Sequence, residues 1–380
     1  MSQVIRAAVV AIIIVGFGCE SPATLATRQA ALPVDGGPCD WAPTALPEPH
    51  ELYQPLPHVS PSAHASYECG GAPPIDGHGD VAVAVSGPRS TTVSVLSPDG
   101  GYLEGWGPAG VLTAMKDGFL IVDCTEYDGD QYGSLSVERW WPGESLRWSG
   151  ATFDTCHAVP DVSGGATTLS ADWPPHMGSH VRIRRFDERA QLTATIELFH
   201  STPPCASWAA TDANGDTLAI YGVPPACGEV IQWFDAEGDP LTSPSSTQDP
   251  RAGDLSTARF QPLIGGGFAV AKDGAWVGVL GSGDTETSDP PEWLRALRGV
   301  SLELAPGRAG YLVHGAVDAG PDAERVLLVG ENGESCGSLD VPVAPGAWTV
   351  GADGSIATEE QRPTDGGVAC GITIWPSVFR

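Results

Sequence analysis

Basic residues are scarce in this chain. Its 380 residues contain 19 lysines and arginines against 47 aspartates and glutamates, a formal net charge of -28. This excess of negative charge repels phosphate backbones and anionic lipid headgroups, so the composition argues against nucleic acid as a partner. Solubility explains the acidic surface better than a specific role in cation binding does.

Signatures of metal, redox and catalytic chemistry are also missing. The sequence has no Cys-x-x-Cys pair and no cysteines at zinc-ligand spacing. It has no Gly-x-Ser-x-Gly motif, and no histidine lies beside Gly281-Ser282-Gly283. A non-enzymatic role is therefore favoured. Enzymatic activity stays open, because the sequence does not reveal whether two carboxylates face each other as in glycosidases.

Long stretches without a turn-forming residue are few. The chain contains 48 glycines and 34 prolines, which leaves little room for helices of ordinary length. Short apolar segments bounded by Gly, Pro, Asp and Asn are typical of strands joined by tight turns. The composition therefore predicts an all-β fold.

The N-terminus carries the clearest targeting signal. A basic residue precedes an apolar run over residues 7–15, which has the length of a signal-peptide core and is short for a bilayer span. The next four residues, Gly16-Phe17-Gly18-Cys19, resemble the lipobox of bacterial lipoproteins, although an aliphatic and a small residue are usual at its first two positions. The resemblance implies a signal peptide over residues 1–18 and a lipid on Cys19. Cleavage near Ala26, with a soluble secreted product, is the alternative.

The cysteine count favours an oxidising compartment. Nine cysteines are present, and removal of Cys19 by lipidation or cleavage leaves an even number for pairing. The disulfide candidates are Cys39, Cys69, Cys124, Cys156, Cys205, Cys227, Cys336 and Cys370. The sequence does not choose their connectivity, and pairing of nearest neighbours is only the arrangement with the shortest loops.

A proline-rich segment and a repeat region follow the signal peptide. Residues 19–66 have little periodicity, which is typical of a semi-rigid tether or of a strap over a domain. Residues 67–380 contain an element in which a glycine precedes a short apolar strand, at intervals of roughly 40 to 50 residues. Its seven glycines are Gly79, Gly118, Gly165, Gly215, Gly267, Gly310 and Gly354.

A second element of the repeat is a hairpin with an acidic or glycine turn. Its copies align on Gly100, Gly143, Ala190, Gly238 and Gly333. Seven cycles of roughly 45 residues match the four-stranded blades of β-propellers. We therefore predict a disulfide-stapled β-propeller of seven blades; six or eight blades and a β-sandwich array remain as alternatives. The region resembles propeller-type bacterial surface lipoproteins, without the motifs of a specific repeat family.

Two smaller patterns favour structure over chemistry. Tryptophans recur at places in the repeat that align with one another, which predicts packing between blades; they are Trp140, Trp233 and Trp375. Asp212, Asn214 and Asp216 place oxygen ligands at alternate positions, as calcium loops do, but no glutamate stands at the twelfth position. Turn formation is the favoured interpretation, and calcium at these residues is the only cofactor that the sequence suggests.

Two longer connections are candidate functional edges, because insertions in repeat proteins tend to lie on the binding face. They run from Asp239 to Thr257 and from Gly281 to Gly299. The second contains a stretch that starts with proline and favours one or two helical turns. Tolerated surface loops are the competing interpretation.

Together these patterns predict an exported, lipid-anchored binding or scaffold protein of the bacterial cell envelope. Its partner is expected to be an envelope protein or a glycan, and its only membrane contact an N-terminal lipid; without the lipid, the protein would be periplasmic or secreted. The alternative is a propeller-type glycoside hydrolase or polysaccharide lyase acting outside the cytoplasm, since propellers host such enzymes.

Overall fold

The computed structural model divides the chain into two compact units, Met1–Pro33 and Val34–Arg380. All described residues belong to the second unit, and strands make up nearly all of its regular structure, so the predicted all-β class is confirmed. Within the described residues, no helix is long and apolar enough to cross a membrane. The structure describes residues 39–55, 73–86, 91–97, 102–107, 111–114, 118–126, 133–140, 146–162, 164–172, 179–201, 206–223, 228–297, 301–305, 310–317, 323–344, 347–351, 353–364 and 367–379.

The strands of the N-terminal half form antiparallel sheets that follow one another along the chain. Strand β1 (His50–Pro55) lies in the proline-rich segment. The next sheet contains β2 (Val81–Ser86), β3 (Thr91–Leu96) and β4 (Tyr102–Gly107). It is followed by β5 (Val111–Ala114), β6 (Phe119–Glu126), β7 (Gly133–Trp140) and the first half of β8 (Leu146–Pro160). The second half of β8 pairs with β9 (Ala166–Asp172), which is followed by β10 (Ser179–Phe186) and β11 (Leu192–Ser201).

The C-terminal half continues the same arrangement. One sheet contains β12 (Ala206–Thr211), β13 (Thr217–Val223), β14 (Gly228–Phe234) and β15 (Ser245–Ser246). A small hairpin of β16 (Gln248–Asp249) and β17 (Gly253–Asp254) and a 3-10 helix (Leu255–Thr257) precede β18 (Arg259–Pro262), β19 (Phe268–Lys272) and β20 (Ala275–Leu280). After helix α1 (Glu292–Ala296) come β21 (Ser301–Leu304), β22 (Gly310–Val317), β23 (Glu324–Gly330) and β24 (Ser335–Val341). The last strands are β25 (Trp348–Val350), β26 (Ile356–Thr364) and β27 (Gly367–Trp375).

The first strand completes the last sheet. The order of this sheet is β25, β26, β27 and β1, so that β1 forms its outer edge. Six residues of β1 pair antiparallel with β27, from His50 opposite Ile374 to Pro55 opposite Ala369. Part of the segment predicted as a tether or strap is therefore a strand of the last sheet.

The residues before β1 are fixed to the neighbouring sheet. Cys39 forms a disulfide with Cys336 of β24, 297 residues further along the chain, and their Cα atoms are 5.1 Å apart. The buried side chain of Trp41 packs with residues of β22 to β24 and of the last sheet. For these two cysteines, pairing of nearest neighbours is therefore wrong. The segment folds across the last sheets, and this packing rather than loop length brings the two cysteines together.

One tight turn recurs at one end of the sheets. In this turn the N–H of the first residue donates to the carbonyl of the fifth, and the N–H of the fourth donates to the carbonyl of the first. Among the described residues, copies of this turn begin at Asp76, Asp161, Asp187, Asp212, Asp235, Leu263, Gly330 and Gly351. The fourth residue has a positive φ, which is 58° at Ala190 and 80° to 96° at the seven glycines of the other copies. The alignment of Ala190 with Gly238 and Gly333 is thus confirmed, whereas Gly100 and Gly143 lie outside the described residues.

These turns define two ends of each sheet. The recurrent turns join either the first and second strands of a sheet or its third and fourth strands, except for the turn at Asp76, which joins β2 to the bridging residue Ile75 before it. Because successive strands are antiparallel, both kinds of turn lie at the same end of a sheet. We call this the turn end, and we call the other end, where second and third strands are joined, the opposite end.

Apolar side chains fill the spaces between consecutive sheets. The β21–β24 sheet packs on the last sheet through Leu312, Val326 and Ile356, among others. The other face of the last sheet packs on the β2–β4 sheet, through a cluster formed by Ile75, Val81, Val83, Leu96, Ala357, Ile372 and Ile374. The last sheet therefore contacts both the preceding sheet and the first sheet of the repeat region.

The register corrects the proposed tryptophan repeat. Trp140 pairs with Phe119 and Trp375 with Ile356, in each case the first residue of a second strand. Trp233 instead pairs with the second residue of β13, and its neighbour Phe234 occupies the equivalent place. Since a shift of one residue reverses the face of a strand, Trp233 packs toward β19 and β20, whereas Phe234 packs toward β9 to β11. Packing between sheets is nevertheless confirmed for Trp233 and Trp375.

Candidate functional site

A histidine between two carboxylates lies near the opposite end of the β21–β24 sheet. His314 is on β22, where the pairing with β23 changes register between Val313 and Val317. Gly315 has a φ of 76° within this irregularity, which allows the strand to bulge. The bulge places His314 between side chains from both neighbouring strands, Glu303 of β21 and Glu324 of β23.

Both ring nitrogens of the histidine are engaged. Nδ1 lies 3.1 Å from Oε1 of Glu324, and Nε2 lies 3.1 Å from Oε2 of Glu303. The second oxygen of Glu324 accepts a hydrogen bond of 2.8 Å from the indole Nε1 of Trp348, a residue of the last sheet. The rings of His314 and Trp348 have centroids 5.1 Å apart. The four side chains, which we call the His314 cluster, therefore bridge two consecutive sheets.

Charge within the His314 cluster favours the imidazolium form. Burial alone lowers the pKa of His314, but the hydrogen bonds and negative charges of Glu303 and Glu324 outweigh it and raise that pKa above its ordinary value. Only the protonated ring donates from both nitrogens at once, as the two carboxylates require. The hydrogen-bond geometry and the raised pKa of His314 therefore both favour the protonated ring.

The two carboxylates differ in their access to solvent. The side chain of Glu324 is 4% exposed, whereas that of Glu303 is 46% exposed. A ligand can therefore reach Glu303, while Glu324 and Trp348 orient the ring from behind. This arrangement suits proton transfer at Glu303 or recognition of a ligand hydroxyl. It does not suit a shared metal ion, because the two ring nitrogens bind different carboxylates on opposite sides of the ring.

A second polar cluster is buried at the turn end. The hydroxyl of Thr167 donates to Asp161 at 2.7 Å and lies 2.7 Å from the hydroxyl of Thr211, which lies in turn near Thr217. Burial raises the pKa of Asp161 to about 6, against the opposing hydrogen bond from Thr167 and the charge of Arg185. This cluster joins β9 to β12 and β13 without access from solvent, which is the behaviour of a structural network.

Arg185 lies beside this network and is largely buried. Its Nη1 donates to the carbonyl of Ala236 at 3.1 Å, in the recurrent turn of the following sheet. Among the described residues its buried Nε has no hydrogen-bond partner. The guanidinium therefore ties two sheets together at their turn end.

The three residues considered for calcium form one copy of the recurrent turn. Oδ1 of Asp212 accepts the N–H groups of Asn214 at 2.9 Å and Asp216 at 3.0 Å. Oδ2 accepts the N–H of Gly267 at 2.6 Å, in the turn between β18 and β19, and the hydroxyl of Ser282, which follows β20. Burial, with the charges of neighbouring aspartates, raises the pKa of Asp216. Within the part of the chain that the structure describes, no three His, Cys, Asp or Glu side chains form a metal-binding group.

The other predicted site residues fall partly outside the described ranges. Cys19, the predicted lipidation site, lies outside them, as do Cys69, Cys205 and Cys227. Three further disulfide candidates lie on strands, namely Cys124 on β6, Cys156 on β8 and Cys370 on β27.

The two longer connections contact each other. The buried carboxylate of Asp249 accepts the N–H and the hydroxyl of Thr287, at 2.7 Å and 2.9 Å. Arg251 donates to the carbonyl of Thr287 and lies 3.5 Å from the carboxylate of Asp289. The predicted helical stretch is confirmed as α1, whose first residue follows Pro291. The connections are thus ordered against one another and against the sheets beneath them.

One feature of the sequence indicates the environment of His314. His314 follows Leu312 by two positions in a second strand, and side chains at this spacing share a face. Leu312 is fully buried in the core between the last two sheets. A histidine in a column of buried apolar residues therefore required charged partners, but the sequence alone does not place Glu303 and Glu324 beside it.

Comparison with known proteins gives only distant similarity. No family model and no curated protein matches the chain. Similar solved structures include a puromycin hydrolase, 16% identical over 79% of this chain with a TM-score of 0.33. They also include a eukaryotic initiation factor, 9% identical over 82% of this chain and 85% of that one with a TM-score of 0.34. A virginiamycin B lyase from Staphylococcus aureus is 11% identical over 85% of this chain and 87% of that one, with a TM-score of 0.29. The alignment spans 49% of the puromycin hydrolase. Similarity at this level supports no argument about activity.

Proposed function

We propose that the chain is a lipid-anchored binding or scaffold protein of the bacterial cell envelope, built on a closed β-propeller of seven blades. The observation that best supports export of the protein is the Cys39–Cys336 disulfide, because disulfides persist mainly in oxidising compartments outside the cytoplasm. The lipobox-like residues that end at Cys19 supply the anchor. The partner in this proposal is an envelope protein or a glycan.

The pairing and packing of the last sheet support the proposal that the sheets close into a ring. β1 completes this sheet from the N-terminal side, and its two faces pack on the β21–β24 and β2–β4 sheets. Closure of this kind protects the sheet edges at the ends of a repeat array. Strand β8 pairs with β7 over its first half and with β9 over its second half, so we count β5–β8 and β8–β11 as two blades. This count gives the seven blades of the proposal. A crystal structure in which these sheets are not radial contradicts the propeller.

The binding role is tested in native envelopes. The full-length tagged protein is crosslinked gently, recovered, and compared with its Cys19→Ala variant, with mass spectrometry of the bait's own N-terminus. We expect a diacylated bait that recovers one or two stoichiometric partners, and we expect the variant to lose the lipid. An unmodified N-terminus after Ala26, without any protein or glycan partner, contradicts the proposal.

The His314 cluster favours a second function, hydrolysis or elimination on an extracellular polysaccharide. A half-exposed carboxylate hydrogen-bonded to a charged imidazole is a group that transfers protons. We expect Glu303→Gln to abolish any such activity found in a polysaccharide screen, and we expect Glu331→Gln, an exposed change in a turn of the same sheet, to leave it intact. Equal activity of the two variants contradicts a catalytic role for the cluster.

A further inference from the structure

The N-terminal segment meets a disulfide before it reaches the strand that completes the last sheet. Cys39 follows the predicted anchor at Cys19 and is bonded to Cys336 of β24, whereas β1 begins only at His50. A pull on the anchor travels along the covalent chain and therefore arrives first at Cys39. From there one path runs through the disulfide into β24, and the other continues through residues 40–49 to β1.

Strand β1 is poorly placed to resist such a pull. It is the edge strand of its sheet and pairs antiparallel with β27. Tension from the anchor would lift β1 at His50, and the side chains of His50 and Glu51 are exposed, as are those of residues 47–49 before them. Little burial opposes peeling from this end. Because the hydrogen bonds of an antiparallel pair run perpendicular to the strands, lifting one end breaks them one after another.

Loss of β1 would disturb the closure of the proposed ring. β1 covers the edge of β27, and Ile372 and Ile374 of β27 belong to the core that the last sheet shares with the β2–β4 sheet. A strand edge without a partner is also a template for pairing with another chain. Tension that reached β1 would therefore open the proposed ring at its last sheet.

Strand β24 is better placed to resist the same pull. Tension at Cys336 acts on a strand that is fixed on both sides, by the recurrent turn at Gly330 before it and by its pairing with β23 after it. Leu339 and Val341 of β24 are buried in the core between the last two sheets. Arg325 of β23 binds both carboxylate oxygens of Asp340 on β24, at 2.5 Å and 2.8 Å. Such a two-point pair fixes the geometry of the two strands.

We propose that the Cys39–Cys336 disulfide is a mechanical joint, which passes tension from the anchor into the β21–β24 sheet and keeps β1 free of it. The inference rests on the proposed lipid anchor. While β24 stays in its sheet, the position of Cys39 is fixed, so tension does not reach the residues that follow it. Trp41, whose ring centroid lies 6.2 Å from that of Phe379, and β1 then stay in place. The proposed ring remains closed when a bound partner pulls the domain away from the membrane.

The test is single-molecule force spectroscopy of the mature chain, with one peptide tag in place of the lipid and another after Arg380. With the disulfide intact, residues 39–336 form a closed covalent loop, so release of β1 cannot lengthen the molecule. In the double variant Cys39→Ser, Cys336→Ser we expect an additional early step, on the order of 10 nm, as the chain before the first sheet of the repeat region is released. We expect the folded variant to survive constant force for a time at least about tenfold shorter.

The control separates loss of the joint from loss of stability. Asp212→Ala removes hydrogen bonds inside the closed loop and leaves the disulfide in place. We expect its lifetime before the first step to stay within about twofold of that of the unmodified chain. Reduction of a folded, unmodified molecule already held at constant force should produce the early step as well. This second measurement does not require the double variant to fold.

Three results overturn the inference. They are equal lifetimes of the unmodified chain and the double variant, absence of the early step after the disulfide is removed or reduced, and equal shortening of the lifetime by Asp212→Ala. Because a tag replaces the lipid, the outcome does not depend on acylation of Cys19. A diacylated N-terminus together with unchanged lifetimes removes the joint and keeps the anchored binding protein.

Discussion

The two ends of the sheets use charged residues in different ways. At the turn end, Asp76 and Asp212 each accept N–H groups of their own turn and one N–H of the following sheet, from Gly118 and Gly267. At the opposite end, the carboxylate of Glu303 and the guanidinium of Arg259 remain partly or largely exposed. The hydrogen-bonding capacity of the first pair is occupied by the protein, and that of the second pair is available to a ligand.

This difference distinguishes charged groups that stabilise the fold from charged groups that are available to bind a ligand. A buried carboxylate with several N–H donors is costly to remove, because each donor left without a partner is destabilising. A half-exposed charge contributes little to stability. Substitutions at the turn end should therefore change the free energy of unfolding most, whereas substitutions at the opposite end should change it less and should affect binding.

The largest loss of stability is expected from the disulfide. Cys336 lies just after a recurrent turn, so its bridge to Cys39 fixes the N-terminal segment at the turn end. We expect the double variant Cys39→Ser, Cys336→Ser to lose about 4 kcal/mol of the free energy of unfolding, since the bridge closes a very long loop. Urea denaturation measures the loss. Disulfide mapping that joins Cys39 to Cys69 contradicts the structural basis of this prediction.

Removal of the Asp212 carboxylate should have the next largest effect. Asp212→Ala leaves the N–H groups of Asn214, Asp216 and Gly267 without their acceptor, and we expect a loss of about 3 kcal/mol in urea denaturation. Asp235→Ala is the matched control, because among the described residues the carboxylate of Asp235 accepts only from N–H groups of its own turn, those of Glu237 and Asp239. Its expected loss is about 1 kcal/mol. Equal losses in the two variants argue against the bond to the following sheet.

The turn end was predictable from the sequence because its residues are determined locally. A positive φ at the fourth residue selects glycine, and an aspartate at the first residue bonds to the next N–H groups, so the turn appears as a repeated motif. Ala190 could be aligned with the glycines for this reason, although the backbone there costs an alanine about 1 kcal/mol. Trp233 shows the limit of the same reasoning. The motif gives the position of a strand end to within a residue, and one residue decides which face a side chain occupies.

The opposite end was not predictable because its residues meet only through tertiary structure. Glu303, His314 and Glu324 come from three strands, and Trp348 comes from the next sheet. No spacing relates them, since the strand lengths and the bulge at Gly315 set their register. The disulfide follows the same principle. The packing of Trp41 brings Cys39 next to Cys336, whereas the shortest-loop arrangement would have paired Cys39 with Cys69.

Asp161, at the turn end, should make the stability of the protein depend on pH. Its pKa in the folded protein, about 6, lies above the ordinary value of 3.8 because the carboxyl is buried. The folded state therefore keeps a proton that the unfolded state loses, so the contribution of Asp161 to stability is complete below pH 3.8 and is lost as the pH rises through about 6. We expect Asp161→Asn to remove this fall in stability, which is worth about 3 kcal/mol, in thermal melts between those two pH values. An unchanged slope in the variant contradicts the burial of a titrating carboxyl.

His314 should make the stability of the protein depend on pH at the opposite end too, by a smaller amount and over a higher pH range. Its pKa is raised by Glu303 and Glu324, so its contribution is complete below the ordinary histidine value of 6.5 and is lost as the pH rises through the higher value of the folded state. His314→Gln should remove the fall in stability above pH 6.5, a difference of about 1 kcal/mol, because Glu303 is half exposed and Glu324 keeps its bond from Trp348. NMR titration of the imidazole measures the same pKa directly. If that pKa lies at or below 6.5, the two carboxylates do not hold the ring as a cation, and the contrast between the two ends is then confined to their solvent exposure.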